Sequence, residues 1–196
     1  MNNSHLFTIL ATLVPLAPFA GSVYAEVEDP RVTEAKAIVQ EFGTALMGEL
    51  TTALQTEGPI AAIEICRHRA PAIAEELSER TGWEVGRTSL KTRNLATNTP
   101  DAWETHVLEQ FDARRAAGED IQPMAHAAVI ADEDGERFRF MKAIPTVDLC
   151  LTCHGQTLAP EIAAAIDAAY PGDQARGYET GMVRGAFSLS KSLSGE

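Results

Sequence analysis

Basic residues are scarce in this sequence: 16 lysines and arginines stand against 28 aspartates and glutamates, so the formal net charge is −12. Nucleic acids and anionic lipid surfaces repel such a chain, which makes both unfavourable partners. The charge is compatible with a basic protein partner, although acidic residues also serve ordinary solubility. The composition therefore argues against nucleic acid and anionic membranes as partners and does not by itself identify a partner.

Long apolar runs are also missing, with one exception at residues 6–21. This run is followed by small or compact residues at the −3 and −1 positions of a cleavage site, as in a secretory signal peptide. The segment before it lacks lysine and arginine, which leaves an uncleaved membrane anchor as the alternative. Two prolines and the shortness of the run argue against an anchor. We predict a signal peptide over residues 1–25, cleaved between Ala25 and Glu26, and a periplasmic domain over residues 26–196.

Cysteine is rare as well, with three in the chain. Two of them belong to the stretch Cys150-Leu151-Thr152-Cys153-His154. A zinc site would need a second Cys/His pair at ligand spacing, and the sequence has none. A redox dithiol and a structural disulfide remain alternatives.

The spacing C-x-x-C-H is the attachment signature of c-type haem. Two thiols three residues apart can bind the two vinyl groups, and the adjacent histidine becomes the proximal ligand of the iron. This haem is attached outside the cytoplasm, where a free C-x-x-C would otherwise oxidise. With the signal peptide, the motif predicts one covalent haem c, bound by Cys150 and Cys153 and ligated by His154.

The third cysteine, Cys66, then has no cysteine to pair with. One interpretation is a buried cysteine that packs as a small hydrophobic residue. The other is the distal iron ligand, as a thiolate that the neighbouring Arg67, His68 and Arg69 stabilise by their positive charge. Other side chains that compete for this role are His68, His106, His126, Met124, Met141 and Met182.

A polar, basic loop over residues 91–99 stands out in the otherwise acidic chain. Its simplest interpretation is a solvated turn. The alternative is a clamp for the haem propionates, because guanidinium groups pair well with carboxylates. The residues proposed for the clamp are Arg87, Arg93 and Asn94.

Hydrophobic periodicity predicts helices at residues 30–56, 59–69, 71–80, 100–117 and 159–169. Alternating or apolar-rich runs predict strands at residues 83–88, 124–130, 136–143 and 186–190. The middle two strands should form a hairpin around Asp134-Gly135. Pro71 is expected to break or kink its helix, and the C-x-x-C-H motif is expected to open one. This order of elements predicts an α+β fold with an antiparallel sheet.

Most of the mature chain resembles a family of exported single-haem c-type proteins, which occur alone or fused to signalling kinases. The similar stretches are AAIEICRHRAPAIAEEL (61–77), GWEVGRTSLKTRN (82–94), PDAWE (100–104), CLTCHG (150–155) and YPGDQARGY with GMVRGAFS (170–188). The resemblance implies a PAS-like fold, in which helices flank a central antiparallel sheet and the haem lies on the sheet. It also implies His/Cys axial ligation, which maps onto His154 and Cys66.

The expected function is that of a redox-responsive, sensor-type haem protein, because thiolate ligation stabilises ferric iron and lowers the reduction potential. The alternative is a low-potential electron carrier that delivers to a periplasmic reductase. A peroxidase-type enzyme, with His68 or His126 as acid–base group, is less favoured because a six-coordinate iron would block its distal site. The expected partner is an unidentified redox or signalling protein.

Overall fold

The computed structural model of this protein describes residues 29–132 and 135–193. The predicted signal peptide, its cleavage site, and Asp134 of the predicted hairpin turn lie outside these ranges. Within them, no helix is both long enough and apolar enough to span a bilayer.

Helix α1 (Pro30–Thr56) opens the fold, as its periodicity predicted. Asp29 caps this helix, because its carboxylate accepts a hydrogen bond from the backbone N–H of Arg31 at 2.9 Å. Apolar residues recur every three or four positions and give the helix one buried face. The residues of that face are Ala35, Ile38, Val39, Phe42, Leu46 and Ala53.

The next helical segment runs from α2 (Pro59–Glu64) through a π-helical turn (Ile65–Arg69) into α3 (Ala70–Thr81). The sequence predicted a break or kink at Pro71, but the helix continues, and its irregularity is the π turn just before the proline. In this turn the backbone N–H of Ala70 bonds to the carbonyl five residues back. A proline lacks an N–H and crowds the preceding turn, so the wider turn accommodates it without ending the helix.

The remaining helices are α4 (Leu95–Asn98), α5 (Ala102–Ala116), α6 (Leu151–His154) and α7 (Pro160–Ala169). The single turn of α4 lies inside the stretch that the sequence predicted as a loop. Its cap is Asn94, whose side-chain oxygen accepts a hydrogen bond from the Ala96 backbone N–H at 3.2 Å. Helices α5 and α7 match their predicted positions to within two residues.

The four strands are β1 (Glu84–Thr88), β2 (Ala125–Asp132), β3 (Gly135–Pro145) and β4 (Val183–Ser192). They form one antiparallel sheet in the order β1-β4-β3-β2. The predicted hairpin of β2 and β3 is confirmed, with Asp132 opposite Gly135. The predicted α+β fold, a central antiparallel sheet flanked by helices, is likewise confirmed.

Helices cover both faces of the sheet. Successive residues of a strand point to opposite faces, and in β3 Phe140 belongs to the core under α1 and α3, whereas Met141 belongs to the core under α5. A third, smaller cluster joins α2 to α7 through Ile63, Ile162 and Ile166. This packing leaves a space beside the first core, between α1, α2 and the sheet.

Gly185 of β4 lies against the end of β1, where there is no room for a side chain. A Cβ at this position would collide with the Thr88 carbonyl oxygen and lie 3.0 Å from the Ser89 Cβ. We expect Gly185→Ala to lower the free energy of unfolding by about 1–3 kcal/mol, the usual cost of overpacking, as measured by urea denaturation. Gly48→Ala is the control, because nothing lies within 4 Å of the added methyl group. That variant should match or exceed the wild-type stability, since alanine favours the helix; equal stability of the two variants would contradict the prediction.

Candidate functional site

A cavity of about 410 Å³ lies between the helices α1 and α2 and the sheet. One wall is largely apolar and carries Leu46, Leu50, Leu54, Ala62 and Ile63. The other wall combines β1, β4 and the chain from Ile144 to His154. All three cysteines and His154 line this one space, so the fold brings together residues that are 84–88 positions apart.

The C-x-x-C-H motif occupies a 3-10 turn (Asp148–Cys150) and the single turn of α6. The sequence predicted that the motif would open a helix; in the structure α6 ends at His154, and the next helix begins six residues later. Gly155 is the C-cap of this turn, and its backbone N–H donates to the Leu151 carbonyl. A Cβ at this position would lie 2.6 Å from the same carbonyl oxygen, so the close approach requires glycine. Leu158 and α7 then pack beside Cys153.

His154 is held in one orientation. Its Nδ1 lies 2.7 Å from the Ala175 carbonyl oxygen, which can only accept, so Nδ1 carries the proton and Nε2 keeps its lone pair. Burial, with the nearby cations Arg184 and Arg93, holds the pKa of His154 well below its usual value. A neutral imidazole with a fixed tautomer is the form that binds a metal ion.

Cys66 lies in the π turn, half-buried at the cavity wall. Not all of the cations that neighbour Cys66 in the sequence are available to stabilise its thiolate. Arg69 instead pairs with Glu49 at 2.8 Å, and His68, which is 65% exposed, pairs with Glu64 at 3.2 Å. A cation from another element, Arg87 of β1, lines the cavity and interacts electrostatically with Cys66.

The other residues considered as distal ligands lie elsewhere in the described ranges. Met124 and Met141 are fully buried under α5. The remaining side chains have local partners: Gln110 for His106, Trp103 for His126, and the Glu179 N–H for Met182. Apart from the three cysteines, the sulfur-bearing residue among the described residues that lines the cavity is Met47 of α1. Sequence reasoning did not single out Met47, because it falls outside the apolar periodicity of α1. In the structure it is 40% exposed.

The residues predicted to bind propionates all line the cavity, but their surroundings differ. Arg93 is bound on several sides: its Nε pairs with Asp173 at 3.0 Å, and its Nη2 donates to the Cys153 carbonyl at 2.6 Å. Arg87 lies over the Phe42 ring at 5.6 Å. Asn94 caps α4. Arg184 of β4 also lines the cavity, and the sequence analysis did not single it out.

Comparison with known proteins decides the family. The sequence of residues 23–192 matches the family described as Tll0287-like. The chain belongs to the Tll0287-like family. The crystal structure of the cyanobacterial haem protein Tll0287 has the same fold, with a TM-score of 0.63 and 22% identity over 85% of this chain and 98% of that one. No curated protein matches the sequence.

The described residues of this member of the Tll0287-like family contain no cluster of the usual metal-binding side chains. Within residues 29–132 and 135–193, no three His, Cys, Asp or Glu side chains are arranged to hold an ion. The three cysteines form no disulfide with one another. The zinc and disulfide alternatives for the motif therefore gain no support from the geometry.

The ion pair behind the motif gives a prediction. Asp173 is 1% exposed, and although burial alone would raise its pKa, hydrogen bonds from Arg176 and Arg93 hold the pKa below its usual value. Asp173→Asn leaves the buried Arg93 cation without its partner, so we expect the free energy of unfolding at pH 7 to fall by about 3 kcal/mol.

The pH dependence of that loss tests its cause. A lowered carboxyl pKa contributes stability above the unfolded pKa, and this contribution is lost as the pH falls through the folded pKa. The difference between wild type and Asp173→Asn should therefore shrink below about pH 4, as measured by urea denaturation across pH. Asp167→Asn is the control, because that carboxylate is 67% exposed; a constant difference at all pH values would contradict the assignment.

Proposed function

We propose that this protein is an exported, periplasmic c-type haem protein with a redox-responsive, sensor-type role. One haem is bound covalently through Cys150 and Cys153, and its iron is ligated by His154 and Cys66. The observation that carries the proposal is that the C-x-x-C-H motif and the single remaining cysteine line the same cavity. The haem-binding protein Tll0287, which has the same fold, supports it.

The residues of the cavity fit a haem. The apolar wall from α1 and α2 suits the face of a porphyrin, and the two motif thiols at the opposite wall suit its vinyl groups. His154 presents Nε2 with a free lone pair because Nδ1 is bound to Ala175. The arginines at the cavity give the positive charge that the two propionates need.

When bound, the haem supplies one-electron redox chemistry. Cys66 would respond to the oxidation state of the iron, because an anionic sulfur is attracted more strongly to ferric than to ferrous iron. The π turn that carries Cys66 is a type of irregularity often found at functional sites. Its link to α1 is the bidentate pair of Arg69 with Glu49, so a shift of this turn would reach the surface, where a signalling partner would bind.

The alternative is a low-potential electron carrier. Two exposed lining residues favour it. Val147 and Leu149 line the cavity and are 41% and 39% exposed, so one edge of the bound haem would lie near the surface. The peroxidase alternative gains no support, since neither His68 nor His126 lines the cavity. The sensor and the carrier differ in whether Cys66 stays bound after reduction.

The test is the wild-type protein, produced with its leader in a bacterial host that attaches c-type haem. Acid–acetone extraction should leave the haem on the polypeptide, and the secreted protein should begin near Glu26. Haem that extracts freely from matured protein would refute covalent attachment. A protein retained in the cytoplasm would refute export.

A further inference from the structure

The cavity carries an uncompensated positive charge in a strongly acidic chain. Three arginines line it, namely Arg87, Arg93 and Arg184, and no aspartate or glutamate of the described residues does. Burying cations away from water is unfavourable unless anions or hydrogen bonds compensate them. The partners of each guanidinium therefore show which charges the cavity leaves for a ligand.

Arg93 is already compensated. Its guanidinium pairs with Asp173, which is 1% exposed, and also donates to the carbonyls of Cys153 and Ala175 at 2.6 and 3.2 Å. These contacts connect the end of the haem-binding motif to the chain that precedes β4. Arg93 thus holds the motif in place by contacts that need no ligand.

Arg87 and Arg184 have no anionic partner in the described part of the chain. Arg184 donates to the Ser89 hydroxyl at 3.0 Å and lies over the Tyr178 ring at 5.1 Å, while Arg87 lies over Phe42. Neither has a carboxylate within 4 Å among residues 29–132 and 135–193. The two cations also repel each other, and burial lowers the pKa of both.

An irregularity in β4 directs the side chain of Arg184 into the cavity. Regular alternation along β4 would place Arg184 on the same face as Ala186, which packs under α5. Instead Val183 and Ala186 both pack under α5, whereas Arg184 and Phe187 line the cavity on the opposite face. The pairing register of β3 with β4 shifts between Ile144 and Pro145, opposite this point. Such an irregularity is a common way to re-aim a side chain.

We propose that Arg87 and Arg184 bind the two haem propionates, one cation to each carboxylate, and that Arg93 positions the attachment motif instead. The proposal rests on the haem function proposed above. A haem carries its propionates on the edge opposite its vinyl groups, and the contact of Arg93 with the Cys153 carbonyl places that residue at the vinyl edge. Two free cations thus match two carboxylates.

The experiment compares matured wild type with Arg87→Ala, Arg184→Ala and Arg93→Ala, with the lysine variant at each position. Resonance Raman spectra report the propionate bending bands, and spectroelectrochemistry reports the midpoint potential. Arg80→Ala is the control, because Arg80 is exposed and pairs with Glu41. Haem retained on the denatured polypeptide is scored in every sample, so that loss of attachment in wild type would count against the proposed function rather than against this inference.

The alanine variants at 87 and 184 should move the propionate bands and lower the midpoint potential, because losing a nearby cation disfavours the ferrous state. The lysine variants should move the bands as well but keep most of the potential, since lysine keeps the charge without the planar fork. Arg93→Ala should leave the bands in place and reduce the yield of attached haem. Bands that move in Arg93→Ala but not in Arg184→Ala would overturn the assignment. A change confined to the iron–sulfur absorption in Arg87→Ala would assign Arg87 to Cys66 instead.

Discussion

Cys66→Ala should abolish the low-spin thiolate spectrum of the ferric protein while the haem stays covalently attached. The reason is that Cys66 is the one cysteine in the cavity that the attachment motif does not use. Cys66→Ser should not restore the spectrum, because a serine hydroxyl does not ionise near neutral pH. Ultraviolet–visible and electron paramagnetic resonance spectra of the oxidised protein provide the measurement.

Met47→Leu is the matched control for this substitution. Met47 is the other sulfur-bearing side chain in the cavity apart from the motif, and its replacement should leave the ferric spectrum unchanged. A thiolate spectrum that survives Cys66→Ala would refute the assignment. A new spectrum that appears in Cys66→Ala and disappears in the double variant with Met47→Leu would show that the thioether replaces the missing thiolate.

The same proteins distinguish a sensor from a carrier. Reduced wild type should bind carbon monoxide, because the anionic sulfur of Cys66 is released more readily from ferrous iron. If carbon monoxide is excluded and Cys66 stays bound in both oxidation states, the redox-responsive role fails. The electron-carrier alternative would then be preferred.

Replacing Cys150 and Cys153 together with alanine should remove covalent attachment completely. Haem should then extract into acid–acetone, whereas Cys66→Ala should retain it, which provides the control for loss of a thiol in the same cavity. Each single variant should keep one thioether bond. We also expect the double variant to unfold at lower temperature, since a ligand that binds the native state stabilises it; attachment that persists in the double variant would contradict the proposed linkage.

The longer helices and the strands were predictable because they have a clear apolar period. α1 carries its buried residues every three or four positions, and β3 alternates between two cores. The π turn was not predictable. Pro71 indicates a disturbance in the helix, but the sequence does not distinguish an end of the helix from a widened turn, and here the packing of Ala70 and Ile73 into the main core keeps the segment helical.

The candidate site was predictable to the extent that its residues lie in a local motif. Cys150, Cys153 and His154 are adjacent in sequence, and Cys66 is conspicuous as the odd cysteine. Arg184 was not identified because the predicted last strand, residues 186–190, begins after it, and because strict alternation along the longer β4 would place it on the other face of the sheet. The charge near Cys66 was predicted from Arg67, His68 and Arg69. In the structure Arg69 pairs with Glu49 and His68 with Glu64, and Arg87 of β1 is a further cation at the cavity.

The position of β4 in the sheet has a consequence for biogenesis. β4 comes last in sequence among the four described strands, yet it lies between β1 and β3 and is the sheet neighbour through which β1 joins the rest. In the proposed export, a chain that crosses the membrane amino end first delivers Cys66 and the attachment motif before residues 183–192, and β1 cannot join the sheet until β4 follows. An attachment enzyme would therefore meet Cys150 and Cys153 on an open chain, before Gly177 and Tyr178 bond to the backbone at Gly155 and His154. Closure of the sheet by β4 would then bring the attached group against Cys66.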